Sequence, residues 1–300
     1  MNGLAGAAQV FGLPAWSTIA DTVGGLVLIV VTGSYRSVER VAILVGLMEL
    51  AFLLMAWRAA PGLAAMAHEA AQLPFHDHGY LYLLAANLGT SIIPWALLYQ
   101  QSASVDKGLG LGNAGAARLE TLAGVILCQV ITSALLGAAG ATLGNGAALD
   151  TIPQIETAFT ATSGATTGRV VFTLGLSGSA LVATIVVCLT LAWTVGEVLG
   201  IEHSLEHHPA QAPWFYGSLV LMLVSAGALV ASGFNLVRLS VAAGVLNALL
   251  LPLVLAFLYR LARIVPPESL RLQGAFAVIV APAFLITGGV GFYAAIAGLF

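Results

Sequence analysis

NLGTSIIPWALLYQQSASVDKG, residues 87–108, is the stretch on which the reading of this sequence turns. It has the length and apolar flanks of a membrane-crossing helix, yet it carries Asn87, Thr90, Ser91, Pro94, Gln100, Gln101, Ser102 and Ser104. A helix that reaches Pro94 loses one backbone hydrogen bond, and the proline ring crowds the carbonyl one turn earlier. Gly89, Thr90 and Ser91 already weaken that turn. A break is therefore expected near residues 89–94. In hydrocarbon a freed carbonyl costs several kcal/mol, so interrupted backbone persists only against protein or a wet cavity.

The rest of the chain sets that stretch in a membrane. Hydrophobic residues make up 59% of the sequence and charged residues 8%, and the mean hydropathy is +0.99. A water-soluble domain does not carry that balance; the solvent is lipid. Apolar runs long enough for a hydrocarbon core of about 30 Å fall at about 15–33, 41–59, 79–104, 118–142, 168–198, 213–232, 238–262 and 273–298. The expectation is an all-α integral membrane protein of about eight transmembrane helices, forming a single membrane domain over residues 1–300. Two linkers, PGLAAMAHEAAQLPFHDHG and LDTIPQIETAFTATSG, are amphipathic enough to lie in the interface. The N-terminal MNGLAGAAQVFGLPAW lacks the basic start of a signal peptide and reads as the tail of a helix.

Charge gives orientation and excludes one class of partner. Arg36, Arg40, Lys107, Arg118, Arg260, Arg263 and Arg271 fall on one side of the membrane, and Arg58, Arg169 and Arg238 on the other. The cation-rich loops, those after the first, third, fifth and seventh runs, are expected in the cytoplasm, with the protein in a bacterial inner membrane. The cationic residues are scattered, so no basic patch and no nucleic-acid partner is read. Cys128 and Cys188 lie inside apolar runs, as small buried thiols do.

Other chemistry-bearing residues are few. Glu49 lies halfway along the second run, where a carboxylate costs about 2.5–3.5 kcal/mol on the insertion scale; it is expected to face the interior, as a hydrogen-bonded glutamate or in ion attraction or proton relay. Glu197, Asp106 and Lys107 are expected at helix ends or in a vestibule. His203, Glu206 and His207 match the H-x-x-E-H pattern of inverted zincins, but in a short polar loop running into His208-Pro209, which leaves no stable helix for it. His68, His76, Asp77 and His78 form a solvated outer loop that can gather cations weakly. Amides at membrane depth, Asn87, Gln100, Gln101, Gln129 and Asn247, either bond to a neighbouring helix, for about 1 kcal/mol, or line a wet path. The broken stretch has two readings as well. It is a proline kink whose Ser and Thr hydroxyls bond back to the helix, or it is one of the unwound midpoints at which secondary transporters hold their ion.

The stretch 87–108 resembles the sixth transmembrane helix of the Nramp family of divalent-metal transporters, and most closely its magnesium-transporting branch. TGSYRSVER, RLETLAG, LAWTVGEVLG and VLNALLLPLVL are similar to further family segments in the same order. The resemblance implies a leucine-transporter-like bundle of two inverted repeats, with the ion between the unwound middles of the first and sixth helices. On that alignment the eight runs are the family's fourth to eleventh helices. Its first two helices, with the Asp-Pro motif that supplies the main carboxylate, have no counterpart, so the chain holds a partial bundle and one half of the ion site.

Carried over residue by residue, the resemblance places Thr90 at the family's carbonyl ligand and Ile93 where the transition-metal branch has methionine. Trp95 stands where proton-coupled members have histidine, and the 213–232 run lacks their arginine. A thioether selects transition metals, and its loss removes that selection. Mg²⁺ keeps several waters and takes oxygen ligands. The site expected to meet the ion comprises Asn87, Gly89, Thr90, Ser91, Ile93, Pro94, Trp95, Gln100, Gln101 and Asn247. Its implied substrate is Mg²⁺ in preference to Mn²⁺, moved without proton coupling and without a cofactor. Two other readings are carried forward: a transport-incompetent membrane scaffold or regulatory partner of a longer relative, and a membrane zinc enzyme built on His203.

Overall fold

The computed structural model describes residues 2–10, 12, 14–32, 34–59, 62, 64, 67–68, 71–143, 151–232 and 234–299. Among them the helices are α1 (Asn2–Val10), α2 (Ala15–Thr32), α3 (Tyr35–Gly46), α4 (Ala51–Ala59), α5 (His78–Ser91), α6 (Pro94–Asp106), α7 (Ala114–Leu143), α8 (Ile152–Ser163), α9 (Ala165–Leu199), α10 (Pro213–Ala231), α11 (Leu236–Ile264) and α12 (Gly274–Leu299). A single 3₁₀ turn, Leu47–Leu50, joins α3 to α4 into one continuous span. No strand occurs among the described residues. Among the described residues seven spans are long and apolar enough to cross a membrane. The chain is an all-α integral membrane protein. The expected span at 15–33 is α2, whose apolar part, Trp16–Val31, is shorter than the other seven.

The chain divides into two compact units, residues 1–71 with 98–236, and residues 72–97 with 237–300. In the first, α9 runs for 35 residues and α1, α3, α4, α8 and α10 pack along it, where its glycines let neighbours approach. A Cβ on Gly178 would lie 2.7 Å from the Val45 carbonyl, and one on Gly175 would lie 2.7 Å from the Phe52 ring. Small residues at such crossings take the place of the hydrophobic drive that lipid removes. Phe52, Phe159 and Phe172 form one core beside Met55. Trp193, Phe215, Leu219 and Leu223 form the other with Leu26 and Val30 of α2.

Two short segments, the N-terminal one read from sequence as the tail of a helix and the 149–164 one as interfacial, pack into this unit. The helix α1 is buried through Leu4, Ala5, Ala7 and Ala8. The segment 149–164 contains α8, whose Ile152, Ile155 and Phe159 join the phenylalanine core. Its Glu156 is buried and accepts from Arg169 Nε at 3.2 Å. Residues 61, 63, 65, 66, 69 and 70 of the other linker, 61–79, lie outside the described residues. Cys188 is buried in the Trp193 core, whereas Cys128 is exposed on α7 beside Leu127 and Val130.

In the second unit α5 packs on α11 and α12 around Leu81, Ala85, Ala86, Val245, Ala248, Ala294 and Ala295. Alanine and glycine dominate the seams. A Cβ on Gly298 would meet the Tyr82 backbone at 2.5 Å, and one on Gly288 would come within 3.2 Å of Pro252.

Candidate functional site

The helix opened by Asp77, whose Oδ1 accepts from the Tyr80 amide at 2.9 Å, continues to Ser91 and stops. Ile92 is extended (φ −124°, ψ 90°) and a new helix begins at Pro94. The interruption is two residues long, Ile92 and Ile93, and narrower than the window 89–94 expected from sequence. Its cause is covalent. Pro94 has no N–H to give to the Thr90 carbonyl, while the Ile92 amide still reaches the Leu88 carbonyl at 3.4 Å. The Thr90 carbonyl thus lacks its ordinary helical donor.

The side chains around it are arranged as follows. Thr90 Oγ1 donates to the carbonyls of Ala86 (2.9 Å) and Asn87 (3.0 Å), and Ser91 Oγ donates to Asn87 O at 2.9 Å. Both hydroxyl hydrogens are turned into the helix, which leaves their oxygen lone pairs facing outward. Asn87, Thr90 and Ser91 are exposed; Ile93 and Trp95 are half-buried. Gly89 stays helical and buried. A Cβ there would run into the Gly244 carbonyl and lie 2.6 Å from the Ala248 amide, so Gly89 is what lets the pre-break helix touch α11. Asn247 is half-buried on α11, one turn beyond Gly244.

Gln100 and Gln101 stand farther along α6, in the first compact unit, and both are exposed. Gln100 Nε2 donates to Thr121 Oγ1 at 3.0 Å. Beyond them the end of α6 is fixed by polar contacts. Ser102 donates to Glu197 Oε1 at 2.9 Å. Asp106 Oδ2 accepts from Trp193 Nε1 at 3.2 Å and from the Leu205 amide at 3.1 Å. Lys107 Nζ lies 2.7 Å from Glu39 and 3.1 Å from Glu120. The hydrogen bond to Glu39 holds the Lys107 ammonium above the ordinary lysine range. A cavity of about 400 Å³ lies between Asp106, Glu197 and the loop after α9. Of the residues expected at helix ends or a vestibule, Asp106 and Glu197 line this cavity and Lys107 does not. Glu39 and Glu120 were not singled out from sequence; their signal is that YRSVER and RLET place carboxylates at the starts of two spans on the Lys107 side.

The H-x-x-E-H residues do not converge. His203 Nδ1 is bonded to the Ile201 carbonyl, and Glu206 Oε1 accepts from the Tyr35 amide at 3.1 Å. His207 Nδ1 lies 3.4 Å from Glu202. No group of three metal-ligating side chains is present among the described residues. At the start of α5 His78 Nδ1 lies 2.7 Å from the Ala297 carbonyl.

A family model described as natural resistance-associated macrophage protein-like (Nramp) matches residues 1–297. No curated protein matches the chain.

Proposed function

The chain belongs to the Nramp family, and from that premise we propose that the divalent metal cation it carries is met at the interruption between α5 and α6, with Mg²⁺ favoured over Mn²⁺. The observation that carries this reading is the helix break itself. It frees the Thr90 carbonyl and turns the oxygens of Thr90 and Ser91 outward with their hydrogens already donated. Oxygen donors of this kind suit a hard cation that keeps part of its water shell. Ile93 supplies no sulfur, so nothing at that position rewards a softer metal. Trp95 has no group that titrates, and cation movement without a coupled proton follows. Asn87 and Asn247, both in the second compact unit, are the amides that line the ion's path in this reading.

The experiment is flux into liposomes holding the full chain, with Mg²⁺ or Mn²⁺ outside and separate indicators for metal and proton inside. Uptake of both metals, faster for Mg²⁺ and with no proton signal, is expected. Uptake of Mn²⁺ alone, or acidification that tracks the metal, rejects the finer assignment. One observation favours a second reading: α5, α11 and α12 contain no Asp or Glu, so the interruption offers only neutral ligands. A chain acting as scaffold or regulatory partner would show no flux above protein-free vesicles.

A further inference from the structure

Arg36 and Arg40 stand one turn apart at the start of α3, where the span Tyr35–Ala59 begins. Both are exposed, and neither has a hydrogen-bond or ion-pair partner among the described residues. With Glu39, Lys107 and Leu109 they line a cavity of about 400 Å³. Three cations and one carboxylate therefore share this hollow. The carboxylate is already committed: Glu39 holds Lys107 at 2.7 Å, and Glu120 approaches the same ammonium from α7 at 3.1 Å. Neither guanidinium is paired among the described residues, and Arg36, Arg40 and Lys107 against Glu39 and Glu120 leave one net positive charge here.

Immediately deeper along the span Tyr35–Ala59 the side chains turn apolar and outward. Leu44 is 67% exposed, Ile43 57% and Leu47 52%. Leu44 is one turn from Arg40, so an apolar lane begins where the charged hollow ends. We propose that this is a binding site for an anionic phospholipid, its phosphate held by Arg36 and Arg40 and one acyl chain lying along Ile43, Leu44 and Leu47. Arginine suits the role because its planar fork meets two phosphate oxygens at once. The excess positive charge favours lipids without a compensating ammonium, as basic hollows beside membrane spans do. The lane distinguishes a lipid from free phosphate, which has nothing to lay on it. The proposal is independent of what the protein transports.

The test is native mass spectrometry of the full chain in detergent with equal phosphatidylglycerol and phosphatidylcholine. The parent is expected to retain phosphatidylglycerol with roughly a tenfold preference, and Arg36→Gln with Arg40→Gln is expected to abolish it. Arg118→Gln, an exposed arginine outside the cavity, should leave it unchanged. If the double glutamine variant does not fold, the Arg36→Lys, Arg40→Lys pair and the salt dependence of the parent decide: the preference should persist at reduced strength in the lysine pair and fall as salt rises. Equal retention of the two lipids, a preference indifferent to salt or to the arginines, or inorganic phosphate bound where phosphatidylglycerol fails to compete, overturns the proposal.

Discussion

Gly89 on α5 and Gly244 on α11 form a mutual notch: a Cβ on either would strike backbone of the other's helix, the Gly244 carbonyl in one direction and the Ala86 carbonyl, at 2.7 Å, in the other. Backbone cannot yield as a flexible side chain does. Gly89→Ala and Gly244→Ala should each destabilise the protein by about 1–3 kcal/mol, the usual range for overpacking. The double variant should cost less than the sum, because the helices need to part only once. Thermal unfolding in detergent of the two single variants and the double variant measures both effects.

Pro94→Ala returns an N–H to the Thr90 carbonyl and removes the covalent cause of the break. The variant is expected to unfold at nearly the same temperature as the parent, since Pro94 is the first residue of α6, a position where proline costs a helix little, while metal flux falls at least tenfold. Full flux with unchanged ion preference would show that the interruption is only a kink.

Arg169→Ala should be among the most damaging single changes at a polar residue. It strips the partner from Glu156, whose side chain is 8% exposed, and an uncompensated buried charge costs about 3–5 kcal/mol. Arg169→Ala combined with Glu156→Leu should recover much of the loss, which denaturation in mild detergent would register.

Lys107 gives a graded result. Its pair with Glu39 is the shorter and the less exposed, and the pair with Glu120 reaches a carboxylate 65% exposed. Glu39→Gln is expected to cost up to about 1 kcal/mol and Glu120→Gln a few tenths, both shrinking in high salt. Because the Lys107 pKa is raised on folding, its contribution is complete below the ordinary lysine value and is lost as pH climbs through the folded value. Stability from pH 6 to 9 should not sense it. The parent should weaken above about pH 10.5, and Lys107→Met should lack that component.

Asp106→Ala leaves the Trp193 indole and the Leu205 amide without their acceptor. Loss of two bonds to a charged group predicts a cost of about 2–4 kcal/mol. The loop that carries Leu205 should become the first site of limited proteolysis, with a change in tryptophan emission that Asp106→Asn shows only in part.

The membrane class and most spans were readable because a span must be apolar over its whole circumference to sit in lipid, whether or not it is buried in protein. Pro94 made the break readable, since a missing N–H is covalent fact. The window was too wide because Gly89 looked like a weakener; only coordinates show that its missing Cβ admits α11. Likewise α8 read as interfacial, although Ile152 and Phe159 meet Phe172 in a core that no local pattern reveals. Lys107 and Asp106 were visible as charged residues at a helix end, but their partners Glu39, Glu120 and Trp193 come from distant sequence; YRSVER and RLET put the two carboxylates on the Lys107 side without saying which cation they meet.

The contrast between Cys128 and Cys188 has a practical side. With one thiol shut inside the Trp193 core and the other presented among Leu127 and Val130 on the outer surface of α7, the molecule comes with a single ready anchor for a spectroscopic reporter. A probe attached at Cys128 would sit among acyl chains and sense their depth and mobility, and any labelling scheme aimed at a loop must first replace that one cysteine.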